Sequence, residues 1–279
     1  MNTTGKVQIV ESSFSIENTG NCNLLLRISD TSLSYAIVSA EEKELKVLFH
    51  SALEDVEGKR SGDFFKDDRL LNQPFAKIQA AVETSAFTFI PAELYSEDNL
   101  QDYSRFIGAH ANSKFLVSDL KRTGAKCISA FPAPQLNALE TLFSQVELYN
   151  PALPLIESLL SATIATGWQL LLQFNSTNFE VLILNDGKLH LYNIYSIQTA
   201  TDFNYFLLLI LQQLNLKPEI LQLTISGEIE KNDDKYAVLQ KYFKKITLAN
   251  PDNFIKEDGF FKEIPPHRFF GLLSLSLCE

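Results

Sequence analysis

Trp168 to Asn193 reads WQLLLQFNSTNFEVLILNDGKLHLYN, and this run decides the fold. It forms two tight hairpins in succession, made of the strands LLLQFN, FEVLILND and KLHLYNIYSI. Asp186-Gly187 supplies the preferred two-residue turn between the second strand and the third. Asn175-Ser176-Thr177 turns the chain between the first and the second. Beyond the meander, a helix is predicted over 201–214, with Phe203, Phe206, Leu207, Ile210, Leu211 and Leu214 on one face. Tyr205, Leu208 and Leu209 widen that stripe. The strand LQLTISGEI, a helix over 233–245, the strand KITLAN and a terminal helix over 267–277 complete this half.

Working back toward the N-terminus, the same order appears. NLLLRIS (23–29), SLSYAIVSA (32–40) and LKVLFHSAL (45–53) read as a first meander, with the charged turn EEKE before the third strand. A helix is predicted over 67–84 from the helical spacing of Leu71, Phe75, Ile78 and Val82. FTFIPAELY follows as a strand, then a short helix over 98–109 and the strands FLVSDL and CISAFPA. PQLNALETLF opens a helix on a proline, VELYN is a strand, and a helix over 153–166 ends at Gly167. Three strands in a meander followed by alternating helices and strands imply an α/β protein with mixed sheets flanked by helices. The repeat lies in the order of elements rather than in residue identity. Two units, 1–150 and 151–279, are expected to share an interface across a cleft, because no low-complexity linker separates them.

Composition narrows the function. The 279 residues carry a formal net charge of −10, a surface that repels phosphate backbones and disfavours nucleic acid. Lys241, Lys244 and Lys245 lie on the polar face of a predicted helix and read as solvated. Three distant cysteines (Cys22, Cys127, Cys278) form neither a CxxC pair nor a disulfide framework, which fits a reducing cytoplasmic compartment. No secretory signal opens the sequence, and its longest apolar run, Tyr205 to Leu211, is too short to span a bilayer. The four histidines form no HExxH or other close ligand pair, and there is no GxSxG, GxxxxGK[ST] or GxGxxG. Cys127 alternates with the apolar residues of CISAF and reads as a buried strand residue.

The doubled β-β-β-α-β-α-β-α order resembles the actin-like ATPase superfamily, whose halves each have a ribonuclease-H-like fold. The second half is similar in layout to the actin-like protein of type IV pilus assembly. The runs NIYSIQTATDFNYFLLLILQQLNLKPEILQLTISGEIEK and HRFFGLLSLSLCE resemble a Bacteroidetes family described as a domain of unknown function, over nearly the whole chain. The superfamily resemblance implies an acid, one residue and a glycine at the first hairpin of each half: acids for Mg²⁺ and the attacking water, glycines for close approach to phosphate. Here the matching runs are Arg27-Ile28-Ser29 and Gln173-Phe174-Asn175, with neither acid nor glycine. Where paired glycines would flank the adenosine, Ser226-Gly227-Glu228 keeps one. Arg27 and Gln173 also exclude a two-metal nuclease of the ribonuclease H kind, which needs an acid in mid-strand.

Asp30, Glu180 and Asp186 lie near the hairpins and read as solvated turn acids. Their replacement by alanine is expected to leave any activity unchanged. Ser29, Thr31, Ser32, Ser176 and Thr177 have hydroxyls suited to a phosphate, or simply to their own turns. Arg27 in mid-strand needs a carboxylate or an anion if buried: it cross-links the halves, or it binds a phosphate or a partner's acid. Two functions follow. The first is a non-catalytic scaffold or protein-interaction module with no cofactor, binding another protein or another copy of itself. The alternative is an ATP- or ADP-binding protein, with Mg²⁺, that hydrolyses weakly or not at all. For that alternative Arg27, Asp30, Thr31, Ser176, Thr177 and Gly227 are the candidate contacts.

Overall fold

Apolar strands that can be covered on both faces call for two sheets with helices packed on them, and the computed structural model has that form. It describes residues 6–52, 68–109, 112–161, 166–257 and 264–278. The first lobe is built on β1 (Val7–Val10), β2 (Cys22–Ile28), β3 (Ser32–Ser39), β4 (Leu45–Ala52), β5 (Lys77–Val82) and β9 (Glu147–Tyr149). They form one sheet in the order β1-β4-β3-β2-β5-β9, antiparallel through the meander and parallel from β2 to β9. The second lobe is built on β10 (Trp168–Phe174), β11 (Asn178–Asn185), β12 (Lys188–Ser196), β13 (Leu221–Gly227) and β14 (Ile246–Leu248). Its order is β12-β11-β10-β13-β14, the same as that of the first lobe without β1.

Between β5 and β9 the first lobe carries an inserted antiparallel sheet. Its strands β6 (Phe87–Pro91), β7 (Ser113–Leu120) and β8 (Ala125–Pro132) run in the order β6-β8-β7. Helix α1 (Leu100–Phe106) lies between β6 and β7 in sequence, and α2 (Ala133–Leu142) follows β8. Helix α3 (Ala152–Ser161) leads into the second lobe, which adds α4 (Ala200–Gln213) and α5 (Asp234–Tyr242). The start of α4 is fixed by a capping box. Thr199 Oγ1 accepts from the Asp202 amide at 3.1 Å, and the Asp202 carboxylate accepts from the Thr199 amide at 2.9 Å. Asp186 and Gly187 both take the left-handed conformation, as the predicted turn requires (φ 49° and 76°).

The helix expected over 67–84 is not formed: residues 77–82 are β5, parallel to β2. Ile78 and Val82 stand four apart, a spacing that a helix face and one face of a strand share. Gln79, Ala80, Ala81 and Val82 are all buried, and that two-sided covering decides for the sheet. The terminal helix is broken into short turns, Pro266–Phe269, Phe270–Leu273 and Ser274–Leu277. The end of the helix expected over 153–166 lies partly outside the described residues. The strand β1 was not anticipated.

Alternation along the central strands sends side chains to two sides. Leu24, Leu26 and Ile28 join the outer core of the first lobe, and Leu170, Leu172 and Phe174 join that of the second. Leu25 and Leu171 point the other way, into a core the lobes share with α3 and the C-terminal segment. Phe269, Phe270, Leu272, Leu273 and Leu275 of that segment are buried there, between the two sheets.

Candidate functional site at the lobe junction

The hairpin turns after β2 and β10 have matching geometry. The Ser29 amide donates to the Ser32 carbonyl at 3.0 Å, and the Asn175 amide donates to the Asn178 carbonyl at 2.9 Å. The turns then meet: Thr31 Oγ1 lies 3.0 Å from Ser176 Oγ, so the two tips share a hydrogen bond. Deeper in the junction, Arg27 Nη2 donates to Glu180 Oε1 across the lobes. Glu180 is wholly buried, and Arg27 keeps only 13% of its side chain exposed. The Glu180 carboxylate also accepts from Asn175 Nδ2 at 3.0 Å and from the Tyr192 hydroxyl at 2.8 Å. A second link runs from Asn178 Nδ2 to Glu83 Oε1 at 2.7 Å.

Burial, reinforced by the charge of Glu180, raises the Glu83 carboxyl to about 7, although Arg27 and the Asn178 hydrogen bond oppose the shift. Burial also raises the Tyr192 phenol, so its proton stays on the bond to Glu180. On the other side of the junction, His50 Nδ1 lies 2.8 Å from Ser34 Oγ, and His50 Nε2 lies 3.6 Å from Glu228. Burial, with Arg268 nearby, lowers His50 to about 4, so the ring is neutral. Burial raises Glu228.

Arg27 Nη1 is buried and has no hydrogen-bond partner. It lies at a cavity of about 40 Å³ lined also by Ser29, Ser32, Ser34, Glu83 and Gln173. The C-terminal segment covers this cavity. His267 Nε2 donates to the Ile229 carbonyl at 2.8 Å, tying the segment to the second lobe. The Cys278 carbonyl accepts from Gln79 Nε2 at 2.8 Å and from Lys77 Nζ at 3.2 Å, tying it to the first. Gly271 passes so close that a Cβ would stand 3.0 Å from both Arg27 Nη1 and Gln173 Oε1.

Of the six candidate contacts, Arg27, Thr31 and Ser176 come together at the junction. Asp30 and Thr177 are exposed turn residues, and the Thr177 carbonyl accepts from the Ile197 amide at 2.9 Å. Gly227 has a packing reason to be glycine. At φ 84°, its Cβ would meet the Phe174 carbonyl oxygen at 2.0 Å and Gln173 Nε2 at 2.5 Å. Asp186 is a turn acid as expected, accepting from the Gly167 amide at 2.8 Å. Glu180 is not: it faces Gln173 across the β10–β11 ladder, inside the protein. The sequence signal was available, since one acid in the apolar run FEVLIL belongs to a buried strand and needs a partner. Glu83, Tyr192, Asn178 and Glu228 were missed because only the meeting of the lobes gives them roles.

At the positions where Mg²⁺ and a nucleotide's phosphates would need acids, the junction holds Arg27 and Gln173, both engaged with side-chain partners. The hairpin tips touch, an ion pair fills the space behind them, and the segment 266–278 covers what remains. Among the described residues no group of three or more His, Cys, Asp or Glu is placed to hold a metal ion.

Two lobes with one strand order, packed on a shared core, have an actin-like ATPase fold. A Bacteroides thetaiotaomicron protein with actin-like ATPase fold and unknown function is similar, with TM-score 0.79 and 16% identity over 96% of this chain and all of that one. So is a chain of the PilM-PilN type IV pilus biogenesis complex, with TM-score 0.63 and 15% identity over 91% and 97%. The chain belongs to the family described as protein of unknown function (DUF3822), whose pattern matches residues 11–246. No curated protein matches significantly. No described helix is long and apolar enough to cross a membrane.

Proposed function

We propose that this protein is a non-catalytic scaffold of actin-like fold that works by binding another protein. The contact between Thr31 and Ser176 carries the reading, because the two tips meet where phosphate would have to pass between them. The side chains at the acid and glycine positions have become structural. Arg27 is held by Glu180, Gln173 accepts from Ser226 Oγ at 2.7 Å, and Ser29 and Asn175 close their own turns. With Arg27 and Gln173 engaged by side-chain partners at the positions where Mg²⁺ would need acids, and with the hairpin tips in contact, the fold is kept for its surface. The PilM-PilN complex supports that reading by analogy, as a similar fold assembled with a protein partner.

Calorimetric titration with ATP and with ADP, each with Mg²⁺, tests this. A flat titration at millimolar nucleotide is expected. A Kd of ~0.1 mM would stabilise the fold by ~1.4 kcal/mol at 1 mM ligand, and heat of binding together with such a shift would overturn the proposal.

A further inference from the structure

Away from the junction, a groove of about 430 Å³ lies between the inserted sheet and the second lobe. Phe89 and Ile90 of β6, Gly124 of the β7–β8 turn, and Leu189, His190 and Tyr192 of β12 line it. Both strands are edges: β6 pairs only with β8, and β12 only with β11. Among the described residues no backbone hydrogen bond joins β6 to β12. What links them is aromatic: the rings of Phe87 and Phe89 lie 5.4 and 6.0 Å from that of Tyr192. The groove thus combines an apolar lining with two unpaired strand edges, and an open edge is a template for another strand.

Charge says what kind of strand. Lys188 opens β12 one residue before Leu189, and Lys121 stands at the β7–β8 turn two residues before Thr123, so each flanks a lining residue of the groove in sequence. Both lysines are exposed, and among the described residues neither has an ion-pair partner, although the chain as a whole is acidic. Arg122, next to Lys121, is by contrast paired with Glu157. Asp186, the acid nearest Lys188 in sequence, is engaged by the Gly167 amide.

We propose that this groove receives an extended segment of a partner protein, apolar at alternate positions and acidic at its ends, which adds to the edge of β12. The proposal rests on the interaction-module reading and names its surface. Trp168, the single tryptophan, packs on His190 with ring centroids 4.6 Å apart, so its emission reports on the groove.

The test selects binders for the intact chain from a random twelve-residue peptide library, then titrates the best synthetic peptide while following Trp168 fluorescence. The expected peptide alternates apolar residues with an Asp or Glu flank and shifts the Trp168 emission. N-methylation of alternate amides on one edge should weaken it about tenfold, the loss expected for a main-chain hydrogen bond or two. Methylation of the opposite set should have little effect. Lys121→Glu with Lys188→Glu, both surface changes, should weaken it severalfold. Peptides that bind with Trp168 silent, or that tolerate both methylation patterns, would overturn the groove while leaving the interaction reading standing. Self-association of the chain that excludes the peptide would mean that a second copy is the occupant, and would overturn it too. No selectable peptide at all would count against both, whereas nucleotide binding in the calorimeter bears only on the junction.

Discussion

The two lobes match in strand order and in register, yet they place different side chains at corresponding positions. Arg27 and Gln173 each stand sixth in the first strand of their meander, opposite Ala81 and Ser226. One residue beyond β5 and β13 come Glu83 and Glu228, whose amides donate to Ile28 and Phe174 with the same 2.8 Å length. Facing Arg27 and Gln173 on the second strands are Ser34 and Glu180. Within its own lobe, therefore, Arg27 faces no acid across the ladder, and Glu180 faces no cation. Each finds its partner in the other lobe. Glu83 likewise takes a hydrogen bond from Asn178 across the junction, and Glu228 lies beside His50. Corresponding positions in the lobes have diverged so that their polar groups satisfy one another rather than a ligand.

The largest test of that comparison is to remove one member of the buried pair. Glu180→Ala or Arg27→Ala leaves a charge without a partner and should cost ~3–5 kcal/mol in denaturant unfolding. The double variant Arg27→Met, Glu180→Leu should recover most of the loss. The two lobes also differ at Gly227, whose counterpart by register is Val82. Gly227→Ala forces a Cβ onto the Phe174 carbonyl and should cost about 3 kcal/mol by thermal unfolding. A mild effect would mean that the backbone yields there.

Glu83 sharpens the comparison through pH. Its carboxyl is raised to about 7 in the fold, from 4.5. Stability from its protonation is therefore complete below about pH 4.5 and is lost as pH rises through 7. Glu83→Gln removes that loss, so it should gain on the wild type between pH 5 and pH 8. The gain is at most about 3 kcal/mol, and less to the extent that solvent screens the carboxyl. Equal stability profiles for the two proteins would contradict the buried position given to Glu83. The smallest effect is expected at Asp30, an exposed turn residue, where alanine should change stability by no more than about 0.5 kcal/mol.

The fold could be read from the sequence because the meanders state it locally: apolar runs, polar turns and Asp186-Gly187 need only their neighbours. What misled was β5, where Ile78 and Val82 satisfy a helix and a strand equally and the parallel pairing to β2 is invisible in one dimension. Arg27 was legible as a buried charge requiring a partner. The identity of that partner was not, because Glu180 lies 153 residues away and only the approach of the lobes brings it near. The packing demand on Gly227 was not legible either, since a glycine needed for close packing looks the same in sequence as one needed for a phosphate.

Whether the residues at the hairpin positions weld the lobes is tested most directly by a double-mutant cycle on Arg27 and Glu180, with the unfolding free energies of Arg27→Met, Glu180→Leu and the pair. The account predicts a coupling of at least ~2 kcal/mol, the double variant being much more stable than the sum of single losses allows. Additive effects, with a coupling near zero, would contradict it.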